Sequence, residues 1–124
     1  MKTILIVEDN EKNMKLVRDV LQAKGYATLE AVTGEDGVRL AAEHRPALVL
    51  MDIQLPGISG IEALKRLRAD PATASIPVIA VTASVMASDR RNITDAGFDG
   101  YVGKPLNLRE FLDAVAGAIG PAGA

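Results

Sequence analysis

The stretch ALVLMDIQLPGISG spans residues 47–60. Leu48 to Met51 are apolar without a break, so a strand built from them has no face suited to water. Such a strand belongs in the middle of a parallel sheet, covered on both sides. The run ends on a carboxylate, Asp52. Gln54 then stands between Ile53 and Leu55, and Pro56-Gly57 signals a turn. A charge is thus carried to the point where the chain leaves the centre of the sheet.

The same alternation recurs five times along the chain. Strands are predicted over Ile4–Val7, Ala27–Ala31, Leu48–Met51, Val78–Val81 and Gly100–Val102, and helices over roughly 11–24, 34–44, 59–69, 87–96 and 107–119. Met14, Val17, Val20 and Leu21 form one stripe of the first helix. Leu108, Phe111, Leu112, Val115 and Ile119 recur at spacings of three and four in the last. Asn10, Thr33, Ser59 and Asn107 stand where helices begin, Gly25 and Gly97 where they end. Pro46, Pro77 and Pro105 punctuate the connections. Strict β-α alternation predicts a five-stranded parallel sheet with helices on both faces and right-handed crossovers. ILIV, LVLM and VIAV are apolar throughout and read as central. The mixed ATLEA and the short GYVG read as edges. This pattern is consistent with the doubly wound order 2-1-3-4-5, without singling it out.

Composition narrows the field. At 124 residues and 48% hydrophobic, the chain suits one globular domain with a substantial core, read over 1–124 with residues 120–124 as a short flexible tail. A net charge of −2 argues against nucleic acid as a partner. The absence of cysteine excludes disulfides, thiolate zinc sites and thiol nucleophiles, and it suits a reducing cytoplasm. No apolar run reaches the roughly 18 residues of a membrane helix. MKTILIVEDN reads as a first strand, not a signal peptide.

In a parallel sheet the carboxyl ends of all strands share one edge, where ligands bind. Glu8 and Asp9 follow the first strand, Asp52 the third, Thr82 and Ala83 the fourth, and Lys104 the fifth. The second contributes nothing comparable. Each has an ordinary account by itself: a helix cap for Glu8-Asp9-Asn10, a solvated turn for Asp52, a β-branched strand end for Thr82, a surface charge for Lys104, a half-buried edge aromatic for Tyr101. What singles them out is their joint placement on one edge. Carboxylates at about 4 Å repel by roughly 4 kcal/mol at an effective dielectric near 20. A shared proton, the lysine or a divalent cation must offset that. Oxygen ligands without His or Cys favour a hard cation such as Mg²⁺. A carboxylate beside such an ion can attack a phosphoryl group and form an aspartyl phosphate.

The blocks LIVEDN, LMDIQLPGISG, VTAS and YVGKP resemble the signatures of the response-regulator receiver domain, the phosphoacceptor half of two-component signalling, over essentially the whole chain. The resemblance implies a flavodoxin- or CheY-like (βα)5 fold with Asp52 as the phosphorylation site. It implies Mg²⁺ (or Mn²⁺) held by Asp9, Asp52 and the backbone carbonyl of Gln54, with Glu8 acting through water. Glu8 stands where many receivers carry Asp. Thr82, Ala83 and Lys104 would bind the phosphoryl group, and Tyr101 matches the switch aromatic. Gln54 and Ser84 would tune phosphate lifetime, and the Lys104-Pro105 bond is a candidate cis peptide. The implied partners are a sensor histidine kinase, a histidine phosphotransfer protein, or both, and a downstream protein target. Target contact would be made through the fourth predicted helix, the fifth strand and the last helix. No output module is read in the chain, which is expected to be a monomer or weak dimer, without membrane or nucleic-acid partners. VEDNEKNMKL and MDIQLPGISG are further similar to single-domain cell-cycle regulators of alphaproteobacteria.

Rival classes fit less well. A phosphatase or phosphotransferase with an aspartyl intermediate of the haloacid-dehalogenase type carries DxDxT after the first strand, and EDN lacks that pattern. A nucleotide-binding module would need a glycine-rich loop there, and VEDNEKN supplies negative charge instead. An adaptor that is never phosphorylated would not need the complete acceptor set. His44 reads as a solvated helix end. Arg66, Arg68, Arg90 and Arg91 read as solvated helix faces, and Met14, Met51 and Met86 as packing residues.

Overall fold

The computed structural model describes residues 2–82, 93, 95–104 and 107–120. Its elements are β1 (Thr3–Val7), α1 (Glu11–Ala23), β2 (Ala27–Ala31), α2 (Gly34–His44), β3 (Leu48–Asp52), α3 (Gly60–Ala69), β4 (Val78–Thr82), β5 (Gly100–Gly103) and α4 (Leu108–Ile119). The sheet is parallel throughout, in the order β2-β1-β3-β4-β5. The doubly wound α/β expectation is met, with β2 and β5 at the edges. Of the helix expected over 87–96, Ile93, Asp95 and Ala96 are described, and they are helical. Ala83, Ser84, Met86, Arg90, Arg91 and Pro105 lie outside the described residues.

The strand ends differ from the sequence reading in a way that matters. β3 includes Asp52, paired in register with Val81, and β4 includes Thr82, paired with Gly103. Apolar runs mark where a strand is covered by helices. The hydrogen-bond ladder continues one residue further and takes the polar residue with it, so Asp52 and Thr82 sit on rigid backbone instead of in loops.

Alternation along the strands divides the core. Leu5, Val7, Val49, Met51, Val78 and Ala80 face Ala41 of α2 and Ala63, Leu64 and Leu67 of α3. Ile4, Ile6, Leu48, Leu50, Ile79 and Val81 face Met14, Val17 and Leu21 of α1 and Phe111 and Val115 of α4. β3 is buried at every position. Burying a Leu or Val side chain stabilises by about 1.5–3 kcal/mol, so β3 is mounted firmly from both sides. Asn10, Thr33, Ser59 and Asn107 each accept from the backbone N–H three residues on, as N-caps. Gly25 follows the C-cap of α1 at φ 92°, a left-handed position that favours glycine. Gly120 is tied down: it donates to the Ala116 carbonyl, and its own carbonyl accepts from the Tyr26 hydroxyl at 2.8 Å.

Arg68 departs from its expected place on a solvated face. Its guanidinium donates to the carbonyls of Ala74, Ile76 and Gly97 and to Oδ2 of Asp99, and that same Oδ2 accepts the Val78 N–H. One side chain thus joins the end of α3, the approach to β4 and the approach to β5.

Candidate functional site

Three backbone details bring the polar residues to one edge. The Glu8 N–H donates to the Ala31 carbonyl, extending the β1–β2 ladder past Val7. The Ile53 N–H donates to Val81, extending β3 past Asp52. The Lys104 N–H donates to Thr82, extending β5 past Gly103. Each strand therefore delivers its polar residue to the same edge of the sheet, with Glu8 level with Asp52, Thr82 one residue further along and Lys104 two.

The centre of the site is an ion-pair fork. The Lys104 ammonium lies 2.8 Å from Glu8 Oε1 and 2.9 Å from Asp52 Oδ2. Both carboxyl side chains are only 6% exposed. Burial alone penalises the lysine's charged form, but its hydrogen bonds and charge interactions with Asp52 and Glu8 outweigh this and raise its pKa. The Gln54 N–H donates to Asp52 Oδ1 at 3.1 Å, and the Asn10 N–H donates to Glu8 Oε2 at 3.3 Å. Among the described residues no buried side-chain N or O lacks a partner. Each carboxylate of the fork is held by the lysine on one oxygen and by a backbone N–H on the other.

Asp9 completes an acidic group. Glu8, Asp9 and Asp52 each offer an oxygen within 4.8 Å of the others. Glu8 and Asp52 are buried and Asp9 is exposed, so a ligand from solvent meets Asp9 first. Three carboxylates against one ammonium leave the site formally negative. The all-oxygen donor set fits a hard divalent cation that keeps some of its waters. Thr82 is buried at the end of β4, the strand next to that of Asp52, one residue beyond Val81, the partner of Asp52. Tyr101 is 39% exposed on the edge strand β5. An open groove of about 430 Å³ runs from Glu8 and Asp9 along Met14, Lys15 and Arg18 of α1.

The structure thus joins Glu8, Asp52 and Lys104 directly, places Asp9 within 4.8 Å of both acids, and sets Gln54 against Asp52 through its N–H. Two residues that shape the surroundings were not singled out from sequence: Glu35, whose carboxylate reaches the loop after Asp52, and Asp99, which receives Arg68. An acid in the first turn of a helix signals only a favourable dipole, so nothing local marked Glu35.

A family model described as the response regulator receiver domain matches residues 4–116. The polar-differentiation response regulator DivK of Brucella anthropi is 46% identical over 121 residues, 98% of each chain. DivK of Brucella abortus matches at the same identity and coverage. Among solved structures, the receiver domain of a sensor histidine kinase from Pseudomonas aeruginosa, with magnesium coordinated in its active-site cleft, aligns at a TM-score of 0.89 and 34% identity. That alignment covers 96% of this chain and 98% of the other. The chemotaxis protein CheY4 of Vibrio cholerae, at 23% identity and a TM-score of 0.89 over 95% and 98% of the two chains, shares the fold.

Proposed function

Because the chain belongs to the response regulator receiver-domain family, we propose that it works as a phosphoacceptor switch, with Asp52 the residue phosphorylated. The observation that carries this reading is the Lys104 fork on Asp52 and Glu8, with Asp9 alongside. A buried carboxylate on a rigid strand, next to a cation and further acids, is built for attack on a phosphoryl group and not for surface solvation.

In this mechanism an Asp52 oxygen forms a bond to phosphorus as the phosphorus–nitrogen bond of a partner's phosphohistidine breaks. The departing imidazole keeps the electron pair. Gln54 holds Oδ1 of Asp52 through its N–H, which limits the carboxylate's rotation. Lys104 already touches Asp52 Oδ2, and its ammonium neutralises charge arriving there. Thr82 at the adjacent strand end donates its hydroxyl to the new phosphoryl oxygens. Mg²⁺ (or Mn²⁺), held by Asp9, Asp52 and the Gln54 carbonyl with Glu8 acting through water, would supply further neutralisation of the phosphoryl oxygens. The groove beside α1 leaves Asp9 open to an approaching donor.

The output is a change of protein contact. Phosphorylation at Asp52 draws Thr82 and Lys104 toward the phosphoryl group and shifts Tyr101 on the neighbouring strand, biasing a surface with two arrangements. Likeness to DivK supports a place in polarity or cell-cycle control, in the cytoplasm, with a histidine kinase or phosphotransfer protein upstream. It also supports a regulator's role over that of an aspartyl phosphatase. The test is incubation with Mg²⁺ and acetyl phosphate. Asp52 should gain a phosphoryl group, Asp52→Asn should gain none, and Asp9→Ala should bind Mg²⁺ more weakly. Stable labelling of the Asn variant at another residue would sink the assignment.

A further inference from the structure

The loop of residues 53–59 carries Gln54 away from Asp52 and is closed at its base. The Gly60 N–H donates to the Ile53 carbonyl at 3.0 Å, and Gly60 lies so close to the Asp52 carbonyl that a Cβ there would collide with it. Its far end is held by α2. Glu35 Oε1 accepts the Ile58 N–H at 3.3 Å, across 23 residues of sequence. The same carboxylate lies over Gly57, where a Cβ would come within 2.6 Å of Oε2 and 2.8 Å of Oε1. Gly57 has φ 76°, a left-handed turn that favours glycine, and a side chain there would have to push the Glu35 carboxylate aside. Ile58 in turn fills the space a side chain on Gly34 would need. Two consecutive residues of α2 therefore grip two consecutive residues of the loop.

From this grip we infer that Glu35 is a positioning residue for the site. It touches neither Asp52 nor a phosphoryl group. It fixes the far end of the loop whose near end sets the Gln54 N–H on Asp52 Oδ1 and, in the reading proposed above, its carbonyl toward the cation. The inference rests on that reading for its effect on Mg²⁺, but the hold on the loop is a property of the metal-free protein. An acceptor oxygen at residue 35 is what the loop requires, because the partner is a backbone N–H.

The test compares wild type, Glu35→Ala and Glu35→Gln by amide hydrogen exchange without metal and by calorimetric Mg²⁺ titration. Glu35→Ala should speed exchange at Ile58 and Gly60 and weaken Mg²⁺ binding by about fivefold, the equivalent of one net hydrogen bond. Glu35→Gln keeps an acceptor oxygen and should restore most of both. A lower melting temperature in Glu35→Ala with Mg²⁺ affinity unchanged would overturn the inference and leave Glu35 a helix-start acid. Glu35→Gln behaving like Ala would also overturn it, because charge and not the hydrogen bond would then be at work. Wild-type protein that binds no Mg²⁺ would refute the proposed function instead, while exchange at Ile58 still tests the hold on the loop.

Discussion

Replacing Lys104 by Met keeps the length of the stem and removes the ammonium between two nearly buried carboxyl groups. At 2.8 and 2.9 Å, each attraction amounts to roughly 6 kcal/mol at an effective dielectric near 20. Most of that is consumed by taking three ions out of water, at several kcal/mol for each. The variant recovers the lysine's share of desolvation and leaves the acids facing each other. Oxygens within 4.8 Å of each other repel by at least roughly 3.5 kcal/mol on the same scale. Breaking a buried pair from one side costs about 3–5 kcal/mol. The lysine side chain is 20% exposed, so water can enter and the lower end applies, about 3 kcal/mol. At about 4 °C per kcal/mol for a chain of this size, Lys104→Met should melt about 12 °C below wild type in EDTA near neutral pH. Saturating Mg²⁺ should recover part of the deficit, because binding to the folded state stabilises it. The wild type carries the complementary signature. Its lysine pKa is raised on folding, so the stabilisation is complete below the unfolded value near 10.4. It is lost as pH rises through the folded value above that. Thermal melts monitored by circular dichroism across neutral and alkaline pH check both. A Met variant melting within about 2 °C of wild type in EDTA would refute the coupling of Lys104 to Glu8 and Asp52, since less than 1 kcal/mol would then be involved.

Two further outcomes follow from the frame around the site. Arg68→Ala should lower stability by about 2–3 kcal/mol in urea titration, because it strips partners from the Ala74, Ile76 and Gly97 carbonyls and from Asp99. Arg68→Lys should rescue little, since an ammonium cannot reproduce the planar fork. Gly60→Ala should cost about 3 kcal/mol through forced displacement of the Asp52 backbone. It should also slow labelling by acetyl phosphate, whereas Gly117→Ala, within α4 and with open space around the added methyl group, should leave labelling unchanged and raise stability by about 0.5–1 kcal/mol.

Much of this fold was legible because its signals are local. A strand buried on both faces is apolar at successive positions, as β3 is from Leu48 to Met51. A cap needs its side chain within three residues of the N–H it accepts, so Asn10, Thr33, Ser59 and Asn107 showed where helices start. The apolar runs end at the true ends of β1 and β2 but one residue short of those of β3, β4 and β5, because the backbone ladder continues past the apolar stretch. Arg68 was misplaced for a related reason. Helical spacing indicates a direction from the axis, but a long arginine stem can fold back to carbonyls that chain periodicity does not reveal.

By itself the sequence determined the alternation of strands and helices, the burial of β1, β3 and β4, and the arrival of Glu8, Asp9, Asp52, Thr82 and Lys104 along one edge. Periodicity and strand direction suffice for that, because they act over a few residues at a time. Tertiary structure alone decided which of those residues touch. That Lys104 bridges Asp52, 52 residues earlier, and Glu8 depends on strand register and side-chain reach. That Glu35 holds Ile58 depends on how α2 lies against the loop before α3. Such contacts join distant parts of the chain, and no local pattern encodes a distance between two elements that meet only after the sheet has formed.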